Sequence, residues 1–104
     1  VVCADTSEAW TRKYDGKRIG DIDASIVTDH MMLAAASLGL DTLWICMFKP
    51  EAVREEFGLP DTVEPVNILL IGYGADAPAS PDRHATLRKP LEETVFYERF
   101  GQKR

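Results

Sequence analysis

Three groups of residues have types and spacings on which chemistry could be built. The first is basic: Arg83, His84, Arg88 and Lys89 lie close together, and Pro90 stiffens the chain directly behind the Arg-Lys pair. A guanidinium fork beside an ammonium point charge suits a phosphate dianion, and a solvated surface tail fits the same composition; both readings are open. The second is Gly72-Tyr73-Gly74, which follows an apolar run as a phosphate-cradling turn would. No third glycine follows, no helix opens and Pro78 stands close by, so a dinucleotide-binding turn is set aside. The third comprises Cys3, Cys46 and His30. The cysteines have neither zinc-ligand nor redox-pair spacing and read as reduced, buried thiols. His30 falls on an apolar helix and reads as a hydrogen-bonded structural histidine. There is no Gly-rich Lys-Ser/Thr phosphate loop, no Gly-x-Ser-x-Gly elbow and no His-Glu-x-x-His pair, so hydrolase and metal chemistry lack their usual anchors.

These residues sit in a chain of 104 residues with 45% hydrophobic content, enough for one domain-sized core and too apolar for a disordered segment. The net charge of -5 argues against nucleic acid or anionic lipid as a partner. Its distribution is uneven: residues 1–80 hold six Lys/Arg against thirteen Asp/Glu, net -7, and residues 81–104 hold six against four, net +2. The longest nearly unbroken apolar stretch, Met31 to Leu40, is about half of the ~20 residues that span a bilayer, so the expectation is a soluble, cytoplasmic protein with no membrane partner.

The elements that must position the chemistry are legible in outline. Val1-Val2-Cys3-Ala4 reads as a strand entered with no preceding turn, which suggests a chain beginning inside a larger domain. Residues 5–20 form a polar surface excursion around an Asp15-Gly16 turn; its Trp10 and Tyr14 are suited to covering a ligand, and more commonly such residues pack back on their own domain. A helix from about Asp23 to Leu38 follows, with Asp21 and Asp23 as N-cap candidates and Leu38-Gly39-Leu40 as its stop. It is apolar around most of its circumference and reads as buried on nearly all sides, its Ala34-Ala35-Ala36 segment admitting close approach by a sheet or by a helix of a second subunit. Thr42 to Cys46 is a second strand, parallel to the first by the right-handed crossover rule. Pro50 opens a short helix that ends at Phe57-Gly58, and Val66 to Ile71 is a third strand. From residue 75 onward the tail is extended, with a last turn or two of helix between Leu91 and Phe100. Three strands and two helices in βαβαβ order give an α/β or α+β layer with exposed sheet edges and half a core, so missing partners are expected.

Taken in order, the helix ending in Leu38-Gly39-Leu40, the Trp44-bearing strand, Pro50-Glu51 to Phe57-Gly58-Leu59-Pro60, Gly72-Tyr73 and Arg88-Lys89-Pro90-Leu91-Glu92-Glu93 resemble the C-terminal half of the FMN-dependent nitroreductase family. The resemblance covers essentially the whole chain. It implies an α+β fold with a mixed sheet flanked by helices, present here as the C-terminal portion of a single domain. It also implies an obligate, intertwined homodimer with FMN in pockets at the subunit interface.

The resemblance further implies that Arg88, with Lys89, holds the flavin phosphate alongside an N-terminal Arg-Arg-Ser-x-Arg-like segment that this sequence lacks. It places the main chain of Ile45, Cys46 and Met47 along the isoalloxazine ring. Many family members have glycine near Met47, and the methionine here is a departure that either narrows the face over the flavin or shifts the loop, which bears on substrate range. The implied activity is transfer of electrons from NAD(P)H to a nitroaromatic, quinone or similar small-molecule acceptor with ping-pong kinetics, the chemistry belonging mainly to the cofactor and no catalytic side chain being required. Two other readings compete: a same-fold flavoenzyme with different chemistry, such as reductive dehalogenation or flavin fragmentation, and a flavin-free α/β binding module.

Overall fold

The computed structural model describes residues 1–77 and 79–103, so Pro78, which weighed against a dinucleotide turn, lies outside the described residues. The order is β1 (Val2–Asp5), α1 (Gly20–Ser37), β2 (Asp41–Ile45), α2 (Pro50–Phe57), β3 (Val63–Gly72), α3 (Arg83–Leu87) and α4 (Leu91–Thr94). The strands form one sheet in the order β1-β3-β2. Both ladders are antiparallel, with Ala4 opposite Glu64 in one and Trp44 opposite Leu69 in the other. Strands β1 and β2 therefore run the same way, as the crossover rule requires, and β3 is inserted between them. No parallel ladder forms among the described residues, so the mixed sheet that the resemblance implies is here an antiparallel one, flanked by helices as expected.

β3 begins three residues earlier than its apolar run because Pro65 is accommodated inside it. The register shifts by one residue between Val2 and Cys3, opposite Pro65 and Asn67, and β2 pairs only from Ile68 onward. Proline has no N–H for a ladder and is tolerated at such a bulge.

α1 starts at Gly20, so Asp21 and Asp23 lie in its first turn and supply favourable charge there rather than a cap, which falls at Ile19 without a side-chain bond. Its end is the expected glycine stop. Gly39 has φ +73°, the Gly39 N–H donates to Ala36 O at 3.0 Å, and Leu40 N–H reaches back to Ala35 O at 3.0 Å. α2 repeats the device, with Pro50 in its first turn and Gly58 at φ +61°.

The helix packs on all three strands through one stripe, Ala24, Thr28 and Ala35, which is buried. The expected burial on nearly all sides is not what this chain achieves alone: Ile22, Ile26 and Leu33 form an exposed stripe, and Ala34 and His30 are also exposed. Apolar residues cover more of the helix than the sheet of one chain can reach. At the helix start, a Cβ on Gly20 would stand 2.9 Å from Ala4 Cβ, so glycine is what lets α1 close onto β1.

Beyond β3 the chain leaves the body. Neither α3 nor α4 packs on any other element among the described residues. The radius of gyration is 17.9 Å, against about 13 Å for a compact domain of this length.

Candidate functional site

The sequence-selected residues fall in two places that one copy of the chain does not bring together. Ile45 ends β2, and Cys46 and Met47 follow it in the turn before α2. β2 is an edge strand, paired on one side with β3 and open on the other among the described residues. Phe48 N–H closes the turn onto Cys46 O at 3.2 Å. Met47 is 94% exposed, and its N–H has no partner among the described residues. The Cys46 thiol is exposed as well, and Cys3 is half-buried, both free. The reading of two buried thiols is therefore corrected for Cys46, because the ladder stops at Ile45 and nothing covers the residue after it.

Arg88 and Lys89 lie on the tail, with His84, Leu91 and Thr94, around an open groove of about 510 Å³. Among the described residues no carboxylate lines it. Arg88 N–H donates to His84 O at 3.3 Å at the end of α3, and the Arg88 guanidinium, more than desolvation or Arg83, holds the His84 imidazole below its ordinary value. Arg83, counted with the cluster from sequence, turns away: its guanidinium donates to Ala79 O at 2.7 Å and Ser80 O at 3.0 Å.

The Gly72-Tyr73-Gly74 turn has a local use. Gly74 N–H donates to Asp41 Oδ2 at 2.8 Å, and a Cβ on Gly74 would fall on that same oxygen. A side-chain carboxylate from the start of β2 thus occupies the position that a phosphate reading would have given to a ligand, and it fixes where the tail departs.

Sequence reasoning placed the aromatics of the excursion back on the body, and the structure does not. Trp10 is 59% exposed and Tyr14 98% exposed, on a loop stiffened by a Thr11–Arg18 bridge and an Arg12–Asp15 ion pair. That ion pair, with the Lys17 N–H, holds the Asp15 carboxyl below the usual carboxylate range. His30 has no buried partner to satisfy, being exposed on α1. Among the described residues no three His, Cys, Asp or Glu side chains are grouped to hold a metal, and no helix is long and apolar enough to cross a membrane.

Comparison with known proteins addresses the same segments. The sequence profile of the nitroreductase family matches residues 4–73, from β1 through the end of β3. A candidate NADH dehydrogenase/NAD(P)H nitroreductase from Methanothermobacter thermautotrophicus is 33% identical over 97 residues, covering 89% of this chain and 48% of that protein. One of the same description from Archaeoglobus fulgidus is 28% identical over 86 residues, covering 73% and 44%. The chain spans about half the length of the curated relatives it matches. Among solved structures, a nitroreductase family protein from Clostridium difficile 630 is 57% identical with a TM-score of 0.88, over 93% of this chain and 56% of that one. An oxidoreductase described as containing FMN is 20% identical with a TM-score of 0.70, over 97% of this chain and 54% of that one, a likeness of fold alone. The profile spans the sheet, the long helix and the exposed strand end, and the Clostridium difficile structure superposes on nearly the whole chain; this protein belongs to the nitroreductase family.

Proposed function

We propose that this chain belongs to an FMN-dependent oxidoreductase that passes electrons from NAD(P)H to nitroaromatic, quinone or similar small-molecule acceptors. FMN, when bound, supplies a ring that accepts hydride from a nicotinamide and later gives up electrons. The donor set fits that group at both ends. A guanidinium and an ammonium around a groove with no carboxylate among its described residues suit a phosphate, and a strand end with a free N–H and an open edge suits a flat heterocycle bound through main-chain contacts.

In this reading the chain's own residues bind and orient, and none acts as an acid or base. Arg88 would hold the phosphate through its guanidinium and Lys89 through its point charge. The main chain at Ile45, Cys46 and Met47 sets the ring's place, and the Met47 side chain limits the space above it. One pocket serving donor and acceptor in turn gives ping-pong kinetics.

The observation that carries the reading is the separation of the two half-sites. Among the described residues the tail bearing Arg88 packs on no other element of its own chain, while the strand end at Met47 stands uncovered. A homodimer in which each tail reaches the other chain's body joins them, and it also covers the exposed Ile22, Ile26 and Leu33 stripe on α1.

The test compares FMN with riboflavin, which lacks the phosphate. Replacing Arg88 with alanine removes a charge-assisted bond worth roughly 1.5 to 3 kcal/mol, about a ten- to hundredfold loss of FMN affinity. Riboflavin affinity is expected to stay unchanged. An equal effect on both ligands removes Arg88 from the phosphate site, and a purified protein that carries and takes up no flavin returns the chain to a flavin-free module.

A further inference from the structure

His84 lies in α3 and Arg88 directly follows it, and the Arg88 N–H donates to His84 O at 3.3 Å, which brings the two together at the end of that turn. Both line the same groove with Lys89, and the groove has no acidic wall. Within this chain the charged groups that act on His84 are Arg88 and Arg83, and α3 packs against no other element among the described residues from which a carboxylate of the same chain could face it. Asp82, the nearest acid in sequence, has its carboxylate against the Ser80 hydroxyl at 3.4 Å. An imidazole placed among cations has every reason to stay neutral while the groove is empty. An anion entering the groove reverses that preference, because it faces the imidazole and the guanidinium together.

We propose that His84 is a further phosphate-binding residue beside Arg88, and that a phosphate monoester entering the groove draws a proton onto its imidazole. The inference rests on the FMN reading and adds to it a proton linked to binding. Arg88 holds His84 below its ordinary value in the free protein, which favours the neutral imidazole, and a bound dianion acts in the opposite direction. Uptake of one proton makes affinity rise as pH falls, by at most about tenfold per pH unit, between the bound and free values of the histidine. The phosphate's own second pKa, near about 6, opposes this at lower pH, since the monoanion binds less well. The two effects have opposite signs, so the variant lacking the imidazole separates them.

The experiment is calorimetric titration of the purified protein with FMN and with riboflavin at pH 8 and pH 6.5, in two buffers of different ionisation enthalpy, for wild type, His84→Gln and Arg88→Ala. Glutamine keeps an N–H donor and cannot take a proton. Wild type is expected to take up a fraction of a proton on binding FMN and to bind it several-fold more tightly at pH 6.5. His84→Gln loses the proton uptake and the gain at low pH, and riboflavin shows neither in any protein. If His84→Gln keeps the wild-type proton uptake, or wild type shows none, the role of His84 is overturned. Failure of the underlying reading looks different: Arg88→Ala then weakens FMN and riboflavin equally.

Discussion

Asn67 and Thr28 meet at the centre of the chain with no exposure to solvent: Asn67 Nδ2 donates to Thr28 Oγ1 at 2.9 Å, and that hydroxyl donates to Ala24 O at 2.8 Å. The bond joins β3 to α1 in the middle of the buried stripe. It fixes which face of the helix meets the sheet, since a rotation by one residue strands both groups without partners. Removing the Thr28 hydroxyl by Thr28→Val leaves a buried amide unsatisfied and is expected to cost about 1 to 3 kcal/mol. Thermal or denaturant unfolding measures it, with Thr28→Ser, which keeps the hydroxyl, close to wild type. A Thr28→Val protein as stable as wild type means that the amide finds another partner.

Ala34 and Ala35 are neighbours with opposite fates, exposed and buried. Leucine at Ala35 overpacks the helix against the sheet and is expected to destabilise by about 1 to 3 kcal/mol. Leucine at Ala34 has room in a lone chain. If it lowers the melting temperature and the dimer fraction by sedimentation, a second chain lies against that face; if it changes neither, α1 is open to solvent there.

Gly74 and Asp41 are the next pair. Gly74→Ala drives a methyl group into the Asp41 carboxylate, and the expected loss of stability is reduced when Asp41→Ala is made in the same protein. A double-mutant cycle from unfolding curves reads the coupling, and additive effects would show that the bond does not hold in solution.

Cys46 tests whether the strand end works through its backbone. Cys46→Ala is expected to leave flavin content and turnover nearly unchanged, by absorbance of the purified protein and a steady-state assay. Loss of both with an intact fold would assign chemistry to the thiol.

Much of the fold was legible because its punctuation is local. Pro50, Gly39 and Gly58 announce helix ends through their own backbone preferences, and the apolar run of β3 is continuous. What the sequence did not display is what each apolar surface packs against. Ile26 and Ala24 are both apolar on α1, and only the sheet's position makes one exposed and the other buried. His30 was misread for the same reason, an apolar neighbourhood in sequence being open in this chain. Pro65 hid the start of β3, because a proline argues against a strand until a bulge receives it. Of the site, the residue types of Arg88, Lys89 and Cys46 were evident, and the groove shared with His84 needed the helical turn at α3. Asp41 was missed altogether, since nothing in its sequence neighbourhood points to Gly74.

β1 and β2 each leave a row of backbone N–H and C=O groups unpaired on their outer sides, over about 13 to 17 Å at the rise of an extended strand. Such rows accept any extended segment that arrives, because backbone pairing does not discriminate by side chain. Each rim is therefore a place where one more extended segment can join the sheet by main-chain bonds alone. A native neighbour and a second copy of the chain would meet the same unpaired groups there. The two rims are short, and each limits how much of a stray strand it can recruit.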